Sequence, residues 1–355
     1  MNKKSIVFIA AISVACIAVV GVLFLRASTS IKYSQNFYRL YTDQTPAMIS
    51  SAALSKNLSL AGCDHDNIYL SDVDAPAHLL IKNWKLETVK EVLIDLNGNI
   101  LVGKTTVKVD SPYFFVADSG KPMVYSGLVA DWKASPFLTS QMFFSDYLPL
   151  SGNRLVINTQ AANRTDSIFR RMLGIIKRDT PQIKLKPGVL KGQLDEHYST
   201  MGRLSYDRDK HKVLFTYLHR NEVVVMDTNL NLIERKHTID TITKIKVKPI
   251  MLNDSTTTLA SPPGVVNFQT YSARNLHFVN SDLMGNEDRE KFDHSSVIDF
   301  YGVEPFKYRG SFLIPDNNGS KVDQFMVNES RFVATFNKAI VTYMLDSTIV
   351  AKKLN

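Results

Sequence analysis

The chain has 355 residues, 45% of them hydrophobic, 10% aromatic and 21% charged, a composition that excludes disordered, collagen-like and coiled-coil classes. Its 42 Lys and Arg against 34 Asp and Glu give a formal charge of +8, and without Lys3, Lys4 and Arg26 the balance falls to 39 against 34. So small an excess, spread thinly, argues against nucleic acid as a partner, and two cysteines exclude a disulfide scaffold or a four-cysteine zinc site.

Ile6 to Leu25 carry neither charge nor proline, and about twenty apolar residues at 1.5 Å rise span a hydrocarbon core of roughly 30 Å. Lys3 and Lys4 precede the run and only Arg26 follows, so the positive-inside bias places residues 1–5 in the cytoplasm and the body across the membrane. Residues 6–25 then form a single-pass signal anchor in the cell membrane. A cleaved signal, which would leave a secreted protein, usually has an apolar region of only about 7 to 15 residues. Leu25-Arg26-Ala27 also fits a small-x-small cleavage site poorly, and Ser13 and Val14 before Cys16 fit a lipobox poorly. Residues 26–55, rich in Ser, Thr, Gln, Asn and Tyr, read as a linker or loosely docked segment.

From residue 56 to 355 short apolar runs alternate with Gly, Pro, Asn, Asp and Ser, and no amphipathic helix lasts three turns. The best helical candidate, Ser167 to Ile176, also reads as a buried strand, so the body is assigned all-β. One unit recurs: a strand, a polar turn and a second strand ending in an acidic or amide corner. Its copies pair Asn67–Val73 with Ala77–Asn83, Pro112–Asp118 with Lys121–Gly127, and Asn153–Thr159 with Ser167–Leu173. Lys212–Leu218 pairs with Glu222–Thr228, Val265–Tyr271 with Asn275–Ser281, and Arg331–Phe336 with Lys338–Leu345. Counted from the first residue of each copy, the spacings are 45, 41, 59, 53 and 66, at or above the ~40 to 50 of propeller blades. Runs at Lys85, Asn231 and Ser347 alternate charge with apolar residues, as a protected rim strand requires. Six four-stranded units account for residues 56–355; seven blades or a β-sandwich pair are the alternatives.

Glu222–Ile233, an apolar strand closed by Asp-x-Asn-Leu, resembles the third strand and outer turn of six-bladed β-propellers of the TolB-like and NHL-like kind. Pro112–Gly120 is similar to their second strand and turn. The resemblance implies a β-propeller over residues 56–355 behind one transmembrane helix, and implies little about activity. Blade lengths are irregular, no Trp-Asp signature recurs, and Glu287 to Tyr308 departs from the repeat.

No GxSxG, HExxH, GxxxxGK[ST], GxGxxG or CxxC motif is present, so no catalytic, metal or cofactor residue is assigned. Cys63-Asp64-His65-Asp66 reads as a solvated turn, because adjacent strand residues diverge. Asp72 with Asp74, and His294 with Asp293 and Asp299, are weak cation candidates. Arg164, Arg170, Arg171, Lys177, Arg178, Lys184, Lys186 and Lys191 form a basic segment that reads as an outer-strand decoration. If the hairpins are blades, their polar turns gather on one face, where Asp72, Asp74, Asp118, Arg164, Arg220 and Arg274 form a candidate ligand-binding set. Mixed carboxylates and guanidinium groups suit a peptide or protein partner. The expected function is an extracytoplasmic binding module without covalent chemistry. The alternatives are a metal-dependent hydrolase or cyclotransferase at the central channel, and an accessory subunit of an envelope complex.

Overall fold

The computed structural model describes residues 3–32, 37–43, 45–139, 142–162, 169–178, 180–193, 196–245, 249–253, 256–259 and 262–350. Among them lie six four-stranded antiparallel sheets, the blades. Blade 1 comprises Leu58–Cys63, Asn67–Asp72, His78–Asn83 and Thr88–Leu93; blade 2 comprises Thr105–Asp110, Tyr113–Asp118, Met123–Leu128 and Ser135–Thr139. Blade 3 is built from Phe144–Ser151, Arg154–Ala162, Phe169–Lys177 and Thr180–Lys186, and blade 4 from Gly202–Asp207, Lys212–Tyr217, Glu222–Asp227 and Leu232–His237. Blade 5 contains Asn267–Ala273, Leu276–Ser281, Ser295–Val303 and Phe306–Pro315. Blade 6 is composite: Gln324–Asn328, Arg331–Phe336 and Ala339–Met344 are completed on the outside by Ala47–Ala53.

The first strands touch one another in blade order and close from blade 6 back to blade 1, which makes the ring. Second and third strands are buried on both faces because each sheet is packed between two others. Tyr113–Asp118 and Glu222–Asp227 therefore read as unbroken apolar runs rather than as alternation. Six apolar clusters fill the six gaps: Leu79 against Phe114 between blades 1 and 2, for example, or Phe278 against Phe332 between blades 5 and 6. The fourth strand of blade 1 faces water, Thr88–Leu93 burying only Val92, whereas Phe306–Pro315 of blade 5 is largely buried. The acidic corners of the repeat are turn clamps. Asp227 accepts the N–H groups of Asn229 and Asn231 at 2.8 and 2.9 Å, and Asp64 those of Asp66 and Asn67 at 2.9 and 2.8 Å.

Phe169–Lys177 is a strand, in keeping with the all-β assignment. Three expectations are corrected. Val265–Tyr271 was matched one strand out of phase: Asn267–Ala273 is the first strand of blade 5, and its second-to-third connection is the long excursion around the short helix Arg289–Asp293. That excursion is why Glu287 to Tyr308 breaks the repeat. The run at Ser347 turns into a helical turn, Ser347–Val350, instead of a rim strand. The rim position is taken by Ala47–Ala53, so the supposed linker is partly structural. Just before it, residues 37–42 lie against blade 5, where Leu40 and Thr42 exchange backbone hydrogen bonds with Ser311.

Arg39 fixes this segment. Its Nε bonds Asp299 at 2.8 Å, its Nη1 bonds Glu287 at 2.9 Å and its Nη2 bonds the Ser281 hydroxyl at 2.9 Å, all buried. Burial works against the guanidinium charge, but Asp299 and Glu287 outweigh it and raise the pKa above its ordinary value. Ahead of this segment, Lys3–Lys32 is one helix. Among the described residues no helix is long and apolar enough to cross a membrane.

Candidate functional site

The first strands of all six blades enclose a central channel of about 950 Å³. Because neighbouring strands are antiparallel, first-to-second turns lie at one end of the ring, the lower face, and second-to-third turns at the other, the upper face. The two ends differ in charge.

At the lower end contacts cross the channel. Arg208 of blade 4 forms an ion pair with Asp110 of blade 2. Tyr271 of blade 5 bonds the Cys63 thiol of blade 1, and burial pushes that thiol up to about 12. The thiol is therefore neutral at ordinary pH and ill suited to act as a nucleophile. Burial also raises the Asp110 pKa, and Arg208 offsets this only in part. Around this rim His65 meets Glu329 at 3.1 Å.

The upper end has no such contact across the channel among the described residues, and it is more basic. Lys104, Lys108 and Arg203 line it, against one carboxylate, Asp146. Lys108 Nζ is already paired with Asp146 at 2.8 Å, and it also bonds the Tyr147 carbonyl. Among the described residues the Arg203 side chain bonds only the Phe268 carbonyl, at 3.3 Å from Nε. Gln269, Gln324, Ser59 and Ser145 supply neutral hydrogen-bonding groups between these charges.

The residues expected to share one binding face are divided. Asp72 lies at the upper face but spends its Oδ1 on the N–H groups of Asp74 and Ala75, at 3.0 and 3.3 Å. Asp74 is exposed beside it. Asp118 is 1% exposed and accepts N–H groups from Val102, Gly103 and Gly120 at 2.7, 2.9 and 2.8 Å. Burial opposes its charge, but these donors prevail and hold the carboxyl below its ordinary range. Arg220 is also 1% exposed: it pairs with Glu222 at 2.9 Å, bonds the carbonyls of Ser199 and Lys191, and stacks 3.5 Å from the Tyr217 ring centroid. It braces the connection from blade 3 to blade 4. Arg274 sits in a first-to-second turn, on the opposite face, as a consequence of the phase slip in blade 5. Arg164 falls outside the described residues.

The weak cation candidates do not assemble. Asp299 is held by Arg39 while His294 lies at the surface with Asp316, 3.2 Å away. Among the described residues no three His, Cys, Asp or Glu side chains gather as metal ligands. Asp110 and Asp146, two acids that line the channel, are each paired with a cation. The donor set that a metal-dependent hydrolase needs is thus not formed by the described residues.

Sequence reasoning passed over one buried polar network. His277, fully buried, pairs through Nδ1 with Ser272 at 2.8 Å and through Nε2 with Thr216 at 2.9 Å, while Ser205 meets Ser272 at 2.8 Å. Ser205 and Ser272 reach the channel wall, so the group has the outline of a nucleophile and its base. Burial, however, lowers the His277 pKa to about 3, and such an imidazole is a feeble base. The network joins blades 4 and 5. Only the alternation of Ser205 and Ser272 on adjoining strands could have signalled it.

Neither the known family models nor the curated proteins give a match. Solved structures do. A member of the DUF4221 family from Bacteroides vulgatus is similar over 87% of this chain and 98% of that chain, with 12% identity and a TM-score of 0.50. A gluconolactonase from Xanthomonas campestris shares 9% identity over 88% of this chain and 97% of that one, at a TM-score of 0.49. Sqt1 from Saccharomyces cerevisiae shares 7% identity over 85% and 100%, at 0.41. At these identities the likeness is one of fold, a β-propeller.

Proposed function

We propose that the protein is a membrane-anchored, extracytoplasmic binding module without covalent chemistry of its own, whose ligand enters the central channel from the upper face. One observation carries this reading: the channel offers a polar, open mouth on a rigid ring, while two of its carboxylates and its thiol are already engaged or held neutral. Concave sites with a few converging polar groups are where ligands are held. A small polar molecule or the end of an extended peptide suits this mouth.

The anchor rests on the uncharged run Ile6 to Leu25. Its described apolar side chains, such as Phe8, Ile17 and Val20, are exposed to 67%, 72% and 65% and await an apolar surrounding. Lys32, at the helix end, pairs with Asp282 at 2.9 Å in the upper loop of blade 5, so the tether meets the ring on the same face as the open mouth.

One experiment addresses both parts. Membranes holding the full-length protein are washed with alkali, and the protein is then released in detergent and equilibrated with the small-molecule fraction of its envelope extract. The protein is expected to stay with the membranes and later to retain a component unchanged. Release by alkali would remove the anchor; appearance of a new product would make the protein an enzyme.

A further inference from the structure

The mouth of the channel is not charge-balanced. Of the cations that line its upper half, Lys108 is matched by Asp146, whereas Lys104 and Arg203 make no ion pair among the described residues. A third cation stands behind them. Arg171, on the third strand of blade 3, reaches Ser145 of the channel wall with Nη1 at 3.0 Å and Asn158 at 3.4 Å. Among the described residues its buried Nε has no hydrogen-bond partner. Burial lowers the Arg171 pKa, and no carboxylate among the described residues counters that effect. The lower half has the opposite character: Asp110, Asp209 and Glu329 against Arg208 and Arg274.

A partly buried arginine gains from a nearby counter-charge, because a partner offsets the desolvation of its guanidinium. A cleft with cations on one wall also focuses a positive potential on whatever enters. Blades 3 and 4 are adjacent, and Ser145 and Arg203 stand on their neighbouring first strands. We infer that the upper mouth holds an oxyanion, a carboxylate or phosphate on a soluble small molecule or chain end, gripped by Arg203 and Lys104, with the charge of Arg171 standing behind Ser145. This rests on the binding-module reading and adds the ligand class to it.

The test uses the full-length protein in detergent at low ionic strength, with calorimetric titration of four probes: citrate, inorganic phosphate, trialanine and trialanine amide. At least one of the anionic probes is expected to bind with one site per chain, and trialanine to bind at least tenfold more tightly than its amide. The double variant Arg203→Gln with Lys104→Gln is expected to lose at least tenfold in affinity for the bound anion, and Arg171→Gln several-fold. Circular dichroism and melting temperature equal to those of the parent establish that each variant is folded. Equal binding of acid and amide, or an affinity untouched in the double variant, would overturn the anion site while leaving the channel as a binding site for neutral ligands. No binding of any anionic probe would also overturn it. In that case retention of a neutral component from the envelope extract keeps the wider reading, and failure there too ends both.

Discussion

Arginines that look alike in the sequence do unlike work, and their surroundings decide which. Arg220 is buried against Tyr217 with three polar partners, whereas Arg274 is exposed in a turn. Arg220→Ala is therefore expected to destabilise the fold by about 3 kcal/mol or more, because it removes a buried guanidinium with its ion pair to Glu222, two hydrogen bonds to carbonyls and the stacking on Tyr217. Arg274→Ala should stay within about 0.5 kcal/mol, as surface changes usually do. Denaturant unfolding of the two variants checks the contrast, and equal effects would contradict it. His277 gives the protein a predictable acid response. Its folded pKa of about 3 lies below the ordinary 6.5, so the unfolded chain takes up a proton that the folded chain refuses. Stability contributed by the neutral imidazole is complete above about pH 6.5 and lost as pH falls toward 3, at up to about 1.4 kcal/mol per pH unit. Asp240 acts in the opposite sense: burial raises its pKa to about 6, so its protonation favours the fold below that value. His277→Gln should flatten the acid limb of the stability curve between pH 6 and 4, and Asp240→Asn should steepen it. Unfolding midpoints measured across that range decide both signs.

At the scale of single elements, the strands with two buried faces were legible, since unbroken runs such as Tyr113–Asp118 need no partner to be recognised. Ala47–Ala53 was not legible. It is short and small-sided, and most of it is exposed, so no alternation marks it; its place follows from closing the ring onto Ala339–Met344, some 290 residues away. The slip in blade 5 has a related cause: a two-residue turn at Arg274 and Asn275, both at positive φ, joins a first strand to a second just as tightly as other turns join a second to a third. Those positive angles cannot be read from the residue types alone, and so Arg274 was assigned to the wrong face. Removal of residues 1–36 is expected to leave the melting temperature of the ring nearly unchanged. Removal through residue 55 should lower it by roughly 10 °C or more, since about 2 to 4 °C accompanies each kcal/mol in a large domain. The bare edge of Ala339–Met344 should then promote association. Equal melting of the two truncated chains would show that Ala47–Ala53 is dispensable.

Across the whole molecule, the ring and its blade count could be read from a repeat, while the site could not. A channel is made by first strands whose starts lie 39 to 65 residues apart, and the charges lining it come from positions that carry no motif: Lys104 and Arg203 are ordinary until the ring places them around one cavity. The acids that did stand out, Asp72 and Asp118, stood out because turns need them. What the sequence displays most loudly is thus the means of building blades, and what it leaves silent is what the blades surround. The account as a whole stands on the claim that this channel holds a ligand without altering it. Native mass spectrometry of the full-length protein, freed from detergent after equilibration with its envelope extract, measures that directly when set beside Ser59→Trp, which fills the mouth. The wild type is predicted to carry one small molecule per chain, released intact on unfolding, and the variant to carry none. A ligand retained equally by both, or one recovered only as a changed product, would contradict it.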